Sequence, residues 1–394
     1  QLDRYATATT WNNQTLQKAL VTLPTSYSTL LSRHVAIHQP IYDRVTIDFN
    51  GNASDRALAT TDLINKQLSS PSQLNPAFLE RLFDAGRYHF LSSSGYYPPR
   101  LTGLWIGAWG AAWSDDFTTD ANLNLQMAGA TIGNMPEAVQ AYNNMIFNLA
   151  PQWVTNSTNF YGISNGIFGT GRTDGISSYE IHFSTANPFQ MWTGGADWIL
   201  YPIYEYYQAN GDTSFLQNSL WPWLEKLANF YVGFLTQKDS NGNYIFFPSY
   251  SPENAPGNTG VPACINATQD VAAGKHALQT AIAVANLLGL QQGPGGEVAT
   301  WSALLKLLPP YRVNSDGALA EWIWPSLSDN YAHRHVSHLY PVWPLHDITP
   351  DTTPALASAA EVALLKRSNP ENAAHGYLHR ALAHARLKDG ANVS

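Results

Sequence analysis

Apolar residues recur at every third or fourth position through most of this chain and alternate with polar ones in a single place. Leu16, Leu20, Leu23, Leu30, Leu31, Val35 and Ile41 follow the helical period across residues 14–44, with breaks near Pro24 and Pro40, because proline lacks the amide proton a helix interior uses. Val45 to Phe49 alternates as one strand would, and Asn50-Gly51 turns it. Helical period returns over 76–93 through Phe78, Leu79, Leu82, Phe83 and Tyr88. Further helices are expected at 120–150, 188–210, 213–236, 270–289, 296–307, 335–345, 354–367 and 373–388. The connections at 155–187, 238–269 and 308–334 are long and carry aromatics, glycines and charges, the character of functional loops. About ten helical segments with polar loops gathered at one end point to an all-α toroid with little β structure. Residues 1–50 read as linker helices and a short strand, and 51–394 as the barrel.

Composition narrows the partners. The 394 residues are 44% hydrophobic, enough for a large core, and only 13% charged with a net charge of −8, which argues against a nucleic-acid partner. The polar surface therefore comes from Asn, Gln, Ser and Thr. Thirteen Trp and 20 Tyr suit uncharged sugars that stack on rings, or equally a Trp-rich core between helices. No segment has the roughly 20 apolar residues that span a bilayer. Cys264 is alone, so no internal disulfide and no Cys-rich zinc site is available. Five N-x-S/T sequons, at Asn13, Asn52, Asn156, Asn266 and Asn392, favour a secreted glycoprotein. The start at Gln1, with no signal peptide ahead of it, fits a processed secretory product or a trimmed piece of a longer chain.

Four polar stretches could carry chemistry. Trp113 to Met127 packs Asp, Thr, Asn and Gln beside Trp105, Trp109 and Trp113, with Asn122 and Asn124 two residues apart. So dense a polar run lines a wet pocket or forms a buried hydrogen-bonded network. In Pro248 to Pro256, Glu253 stands beside Pro252 on a stretch that cannot be helical. It is a plausible general acid if burial raises its pKa, or else part of a surface turn. Ala332 to Tyr340 holds His333, His335 and His338 without metal-ligand spacing. Arg334 and His335 are better suited to donating hydrogen bonds to hydroxyl groups. Glu321 is a rival carboxylate, and Asp389-Gly390 alone reads as a helix end.

In order, these stretches resemble glycoside hydrolase family 95, the inverting α-L-fucosidases and their α-L-galactosidase relatives. The resemblance rests on Gly103 to Trp105 with Trp113 to Met127, on Ser251 to Asn254, on Glu321-Trp322 with His333 to Tyr340, and on Ala385 to Gly390. It implies an (α/α)6 catalytic barrel with Glu253 as general acid and Asn122 and Asn124 at the nucleophilic water; no cofactor is expected, and the histidine spacing argues against a metal. An amide is too weak a base to deprotonate water alone, and the resemblance implies Asp389 as the carboxylate behind it. Arg334 and His335 match the family's sugar-binding pair, with Asp120, Trp113 and Trp192 as further substrate contacts. Inversion sets the acid roughly 6.5–9.5 Å from the groups holding the water.

Two departures stand out. Asp120 occupies the place where the family block usually has His, exchanging a donor and acceptor for an anion that only accepts. Ala128 and Gly129 follow Met127 in place of a bulky polar and aromatic pair. The family also carries β-rich domains around the barrel, so such domains or chains of the same precursor are expected partners. The implied function is a secreted exo-acting hydrolase releasing a terminal α-linked L-fucose or L-galactose. Another (α/α)6 carbohydrate-active enzyme, such as a lyase or phosphorylase, and a sugar-binding protein without catalysis are the alternatives.

Overall fold

The computed structural model describes residues 17–18, 20–105, 112–181, 184–290 and 296–393, so Trp109 and the Asn13 sequon lie outside the described residues. The chain divides into two compact units, 1–91 and 92–394.

In the first unit the apolar period of 14–44 forms helix α1 (Tyr27–Tyr42), followed by α2 (Thr60–Leu68) and α3 (Pro76–Ser93). None of the α1 side chains is buried. The strand expected at Val45 to Phe49 is absent. A lone strand has no partner for its ladder, and the amides of Phe49 and Gly51 instead donate to Glu80 Oε1 at 2.8 and 3.1 Å. Arg56 holds that same carboxylate, with 2.8 Å from Nε to Oε2.

The second unit is built of helices that pack on their neighbours in sequence. They are α4 (Asn122–Met127), α5 (Pro136–Tyr161), α6 (Gly195–Asn210), α7 (Trp221–Phe234), α8 (Thr268–Leu288), α9 (Glu297–Leu305), α10 (Pro354–Lys366) and α11 (Ala374–Arg386). Helix α5 packs on α6, and α8 packs on α6, α7 and α9. On α7 the buried Trp221, Leu224, Leu227, Ala228, Tyr231 and Phe234 keep the three-and-four spacing that makes one apolar face. Gly162 closes α5 in the left-handed region, at φ 71°, where a Cβ would be penalised. A second core joins Leu319, Val336, Leu339 and Val342 to Ala360, Leu364 and Ala383 of α10 and α11.

Two expected helices differ. Residues 120–150 split into α4 and α5, because Gly129 and Gly133 turn the chain and Pro136 opens a new helix at its first turn. Residues 335–345 make only a 3₁₀ turn, Ser337–Leu339, since Pro341 and Pro344 withhold amide donors. The only strands among the described residues are β1 (Phe117–Thr118) and β2 (Arg172–Thr173), antiparallel with Phe117 opposite Thr173.

Candidate active site

The loop that carries Glu253 is anchored on both sides. Ser249 Oγ and the Tyr250 amide donate to Asp270 Oδ2 at 2.5 and 3.0 Å. Ser251 Oγ and Asn254 Nδ2 donate to the two oxygens of Glu321, each at 2.8 Å. Ser337 Oγ donates to the Pro252 carbonyl. Every residue from 249 to 254 is buried except Glu253. A proline-bounded loop whose polar side chains all turn inward therefore projects one carboxylate.

Glu321, the rival carboxylate, is that anchor. It pairs with Arg367 at 2.6 Å, both side chains fully buried, and Arg367 also donates to the Asn330 carbonyl at 2.8 Å. A buried carboxylate with three hydrogen-bond partners, Ser251, Asn254 and Arg367, is structural support, with no room to meet a substrate.

Glu253 opens into a cleft of about 310 Å³, whose wall includes Trp113, Thr118, Asp120, Asn122, Arg334, His335 and His375. Five separate segments meet there, the fifth being Leu101 and Thr102. Asp120 follows β1, and its amide donates to the Gly171 carbonyl at 3.1 Å. Ala121, with φ 70° and ψ −47°, takes the strained γ-turn shape that starts α4 at Asn122. Trp113 is 70% exposed on the rim. Arg334 donates to Glu253 Oε2 and, at 2.6 Å, to Glu371 Oε2. His335 Nε2 lies 3.4 Å from that same Glu253 oxygen. His375, from the first turn of α11, stands edge-on to His335 with ring centroids 4.5 Å apart. The sequence reading missed His375, because an isolated histidine near a helix start has no local pattern.

Burial dominates the electrostatics. It pushes the Asp120 carboxyl well above its ordinary range, and the Glu253 charge adds to the shift while Arg334 opposes it. It also holds His335 well below the usual imidazole value and His333 down at about 3, so both rings are neutral in mid-range pH.

Asp120, Glu253 and His335 each offer one donor atom, all within 4.8 Å of one another. Arg334 already occupies the Glu253 oxygen, and a dication beside it would face a full positive charge, so the donor set does not suit a metal. His338 is buried instead against Arg367, with 3.2 Å between Nδ1 and the guanidinium.

Several expected site residues lie elsewhere. Asn124 is buried, its Nδ2 donating to the Trp198 carbonyl and its Oδ1 without a partner. Trp192 is fully buried and donates to Gln269 Oε1 at 3.2 Å, so it is core rather than a sugar platform. Asp389 accepts from Asn392 at 2.7 Å and contacts His384 at 3.0 Å, outside the cleft wall. Two sequons are closed to glycans in the folded chain. Asn156 Nδ2 donates to the Phe168 and Ser178 carbonyls, and Asn266 Oδ1 accepts the Phe246 amide, both side chains being buried. Asn52 and Asn392 are exposed.

A helical unit that presents carboxyl, amide, guanidinium and indole groups in one cleft matches a known class. The chain belongs to glycosyl hydrolase family 95, whose catalytic-domain model matches residues 26–394, and its fold is of the (α/α)6 type. Among particular relatives, it is 29% identical over 353 residues to "Alpha-L-fucosidase 2" of Arabidopsis thaliana, covering 87% of this chain and 41% of that protein. It is 28% identical over 377 residues to "Probable alpha-fucosidase A" of Aspergillus niger, covering 89% of this chain and 44% of that protein. The chain thus spans less than half the length of these curated relatives. A solved structure described as "Putative kojibiose phosphorylase from human microbiome" shares the fold, with a TM-score of 0.57 at 13% identity, over 97% of this chain and 50% of that one.

Proposed function

We propose that the chain is the catalytic part of a secreted, exo-acting α-L-fucosidase or α-L-galactosidase that hydrolyses with inversion. The observation that carries this reading is Glu253, a lone outward carboxylate on an anchored loop, facing Asn122, Arg334 and His335 across one cleft. Family membership and two relatives named as fucosidases supply the substrate class.

In this reading Arg334 and His335 hold sugar hydroxyl groups and Trp113 offers the rim a stacking face. Glu253 gives its proton to the glycosidic oxygen as the bond to the sugar breaks. Asn122 orients the water on the opposite face of the ring, and Asn124, buried behind it, is assigned to the same task by the family resemblance alone. That water's proton needs a carboxylate; the family resemblance alone assigns it to Asp389, which in this structure faces His384 and Asn392 outside the cleft wall. Asn52 and Asn392 are the sequons left open for glycans in a secreted product.

The test is a panel of α-L-fucosides and α-L-galactosides, with NMR of the first anomer released. The β-anomer is expected, and initial release of the α-anomer excludes inversion.

A further inference from the structure

Asp120 is buried in the cleft wall close to Glu253, and its surroundings define what it does. The inference rests on Glu253 being the general acid. The Asp120 and Glu253 carboxyl groups lie with a donor oxygen of each within 4.8 Å of the other. Two carboxylates so close, one of them buried, repel one another, and the pair retains a proton wherever that repulsion and the burial outweigh the single neighbouring guanidinium of Arg334.

The charges facing them account for the balance. From the β1 segment only Asp120 enters the cleft wall, since Asp115 is held by Thr102 and Asp116 by Arg172. The 251–254 loop brings Glu253, and the segment after 330 brings His333, Arg334 and His335. The approach to α11 brings Glu371 and His375. All three histidines are pushed down by burial and stay neutral. Among the described residues that leaves Arg334 as the cation at this site, and its two nitrogens are divided between Glu253 and Glu371.

We propose that Asp120 and Glu253 share a single proton through mid-range pH, which makes Asp120 the positioning residue that keeps the general acid charged with its proton. Glu253 is the member that reaches the glycosidic oxygen. Its proton passes to that oxygen while the oxygen keeps the electron pair of the breaking bond to the sugar carbon. The pair, briefly fully ionised beside Arg334, regains one proton from solvent before the next turnover. A carboxylic acid at position 120 also restores the hydrogen-bond donor that an anion there would lack.

The experiment measures kcat/KM against pH on an alkyl α-L-fucoside, whose poor leaving group makes the acid necessary, for the unaltered chain, Asp120→Asn and Asp120→Glu. Asp120→Asn leaves the general acid without its neighbouring carboxyl group and without a partner for the shared proton. The alkaline limb of Asp120→Asn is therefore expected to move to lower pH by about one unit, an added roughly tenfold loss just above the original limb. Asp120→Glu keeps the limb in place.

An unchanged limb with a raised KM in Asp120→Asn would make Asp120 a sugar ligand only and overturn the proposal. So would loss of activity on chelation with recovery on adding a divalent cation, because a metal would then hold the two carboxylates. Should Asp120→Asn fail to give a cooperative melt, Asp120→Ser carries the same measurement. Full activity of Glu253→Gln is a different failure, since it removes Glu253 as the acid whatever Asp120 does.

Discussion

Two carboxylates in this chain, Glu253 and Glu321, look alike in the sequence and differ in everything that surrounds them. Glu253 is the one residue of 249–254 that is not buried, and it opens into the cleft, so Glu253→Gln should lower kcat by about 10²–10⁴-fold on a substrate with a poor leaving group. Steady-state kinetics with an alkyl fucoside checks this, alongside an unchanged melting temperature. Glu321 and Arg367 neutralise one another in full burial. Glu321→Ala strands the Arg367 charge and frees Ser251 and Asn254, so a loss of about 3–5 kcal/mol is expected in denaturant unfolding. The sequence marked Glu253 because prolines exclude it from a helix. It had no means of ranking Glu321 below it, because residues far apart in the chain decide which carboxylate is buried.

At the scale of elements, the cleft depends on how closely α11 approaches the Arg334 segment. Gly376 makes that approach possible. A Cβ there would stand 2.9 Å from the Arg334 carbonyl oxygen and 3.1 Å from Asn369 Nδ2. Gly376→Ala must push α11 or the Arg334 segment of the wall aside, costing about 1–3 kcal/mol. It should also raise KM through Arg334, and thermal melts with Michaelis kinetics test both. Helical periodicity located α11 and most other helices, because an apolar stripe is a local property. It overextended α4 into α5 and made a helix of 335–345, where glycine turns and missing proline amides override the apolar pattern.

For the molecule as a whole, stability against pH is set by groups buried in their neutral forms. His333, His335, His338 and His379 have imidazoles lowered by burial, with His375 and His346 lowered as well. The unfolded chain binds those protons below the ordinary imidazole value and the folded chain does not, so stability falls as pH drops through about 6.5. Asp270 and Asp329 oppose this. Burial raises them to about 7 and about 6, and Asp120 is raised also, so the folded chain binds protons that the unfolded chain has lost. Their contribution declines as pH rises above the ordinary Asp value. The histidines are more numerous, so the melting temperature is expected to rise from pH 4 to about 6.5 and then to fall back slightly while Asp270, raised to about 7, gives up its proton. Above about pH 9 it should fall again, because buried tyrosines such as Tyr142 and Tyr231 resist ionising. Scanning calorimetry across that range shows the curve.

The sequence alone determined the helical class, the charge-poor and aromatic character, and the ordered stretches that mark the family, because periodicity, composition and motif order are carried by near neighbours. It also singled out Asp120, Asn122, Glu253, Arg334 and His335, which the structure brings into one cleft. Only the tertiary structure decided the rest. Trp192, Asn156 and Asn266 are core, Asp389 is turned to His384 and Asn392, and His375 belongs to the cleft wall. Burial and like-charge proximity between distant segments are properties of packing, and they decide whether Asp120 is an anion or one half of a proton-sharing pair.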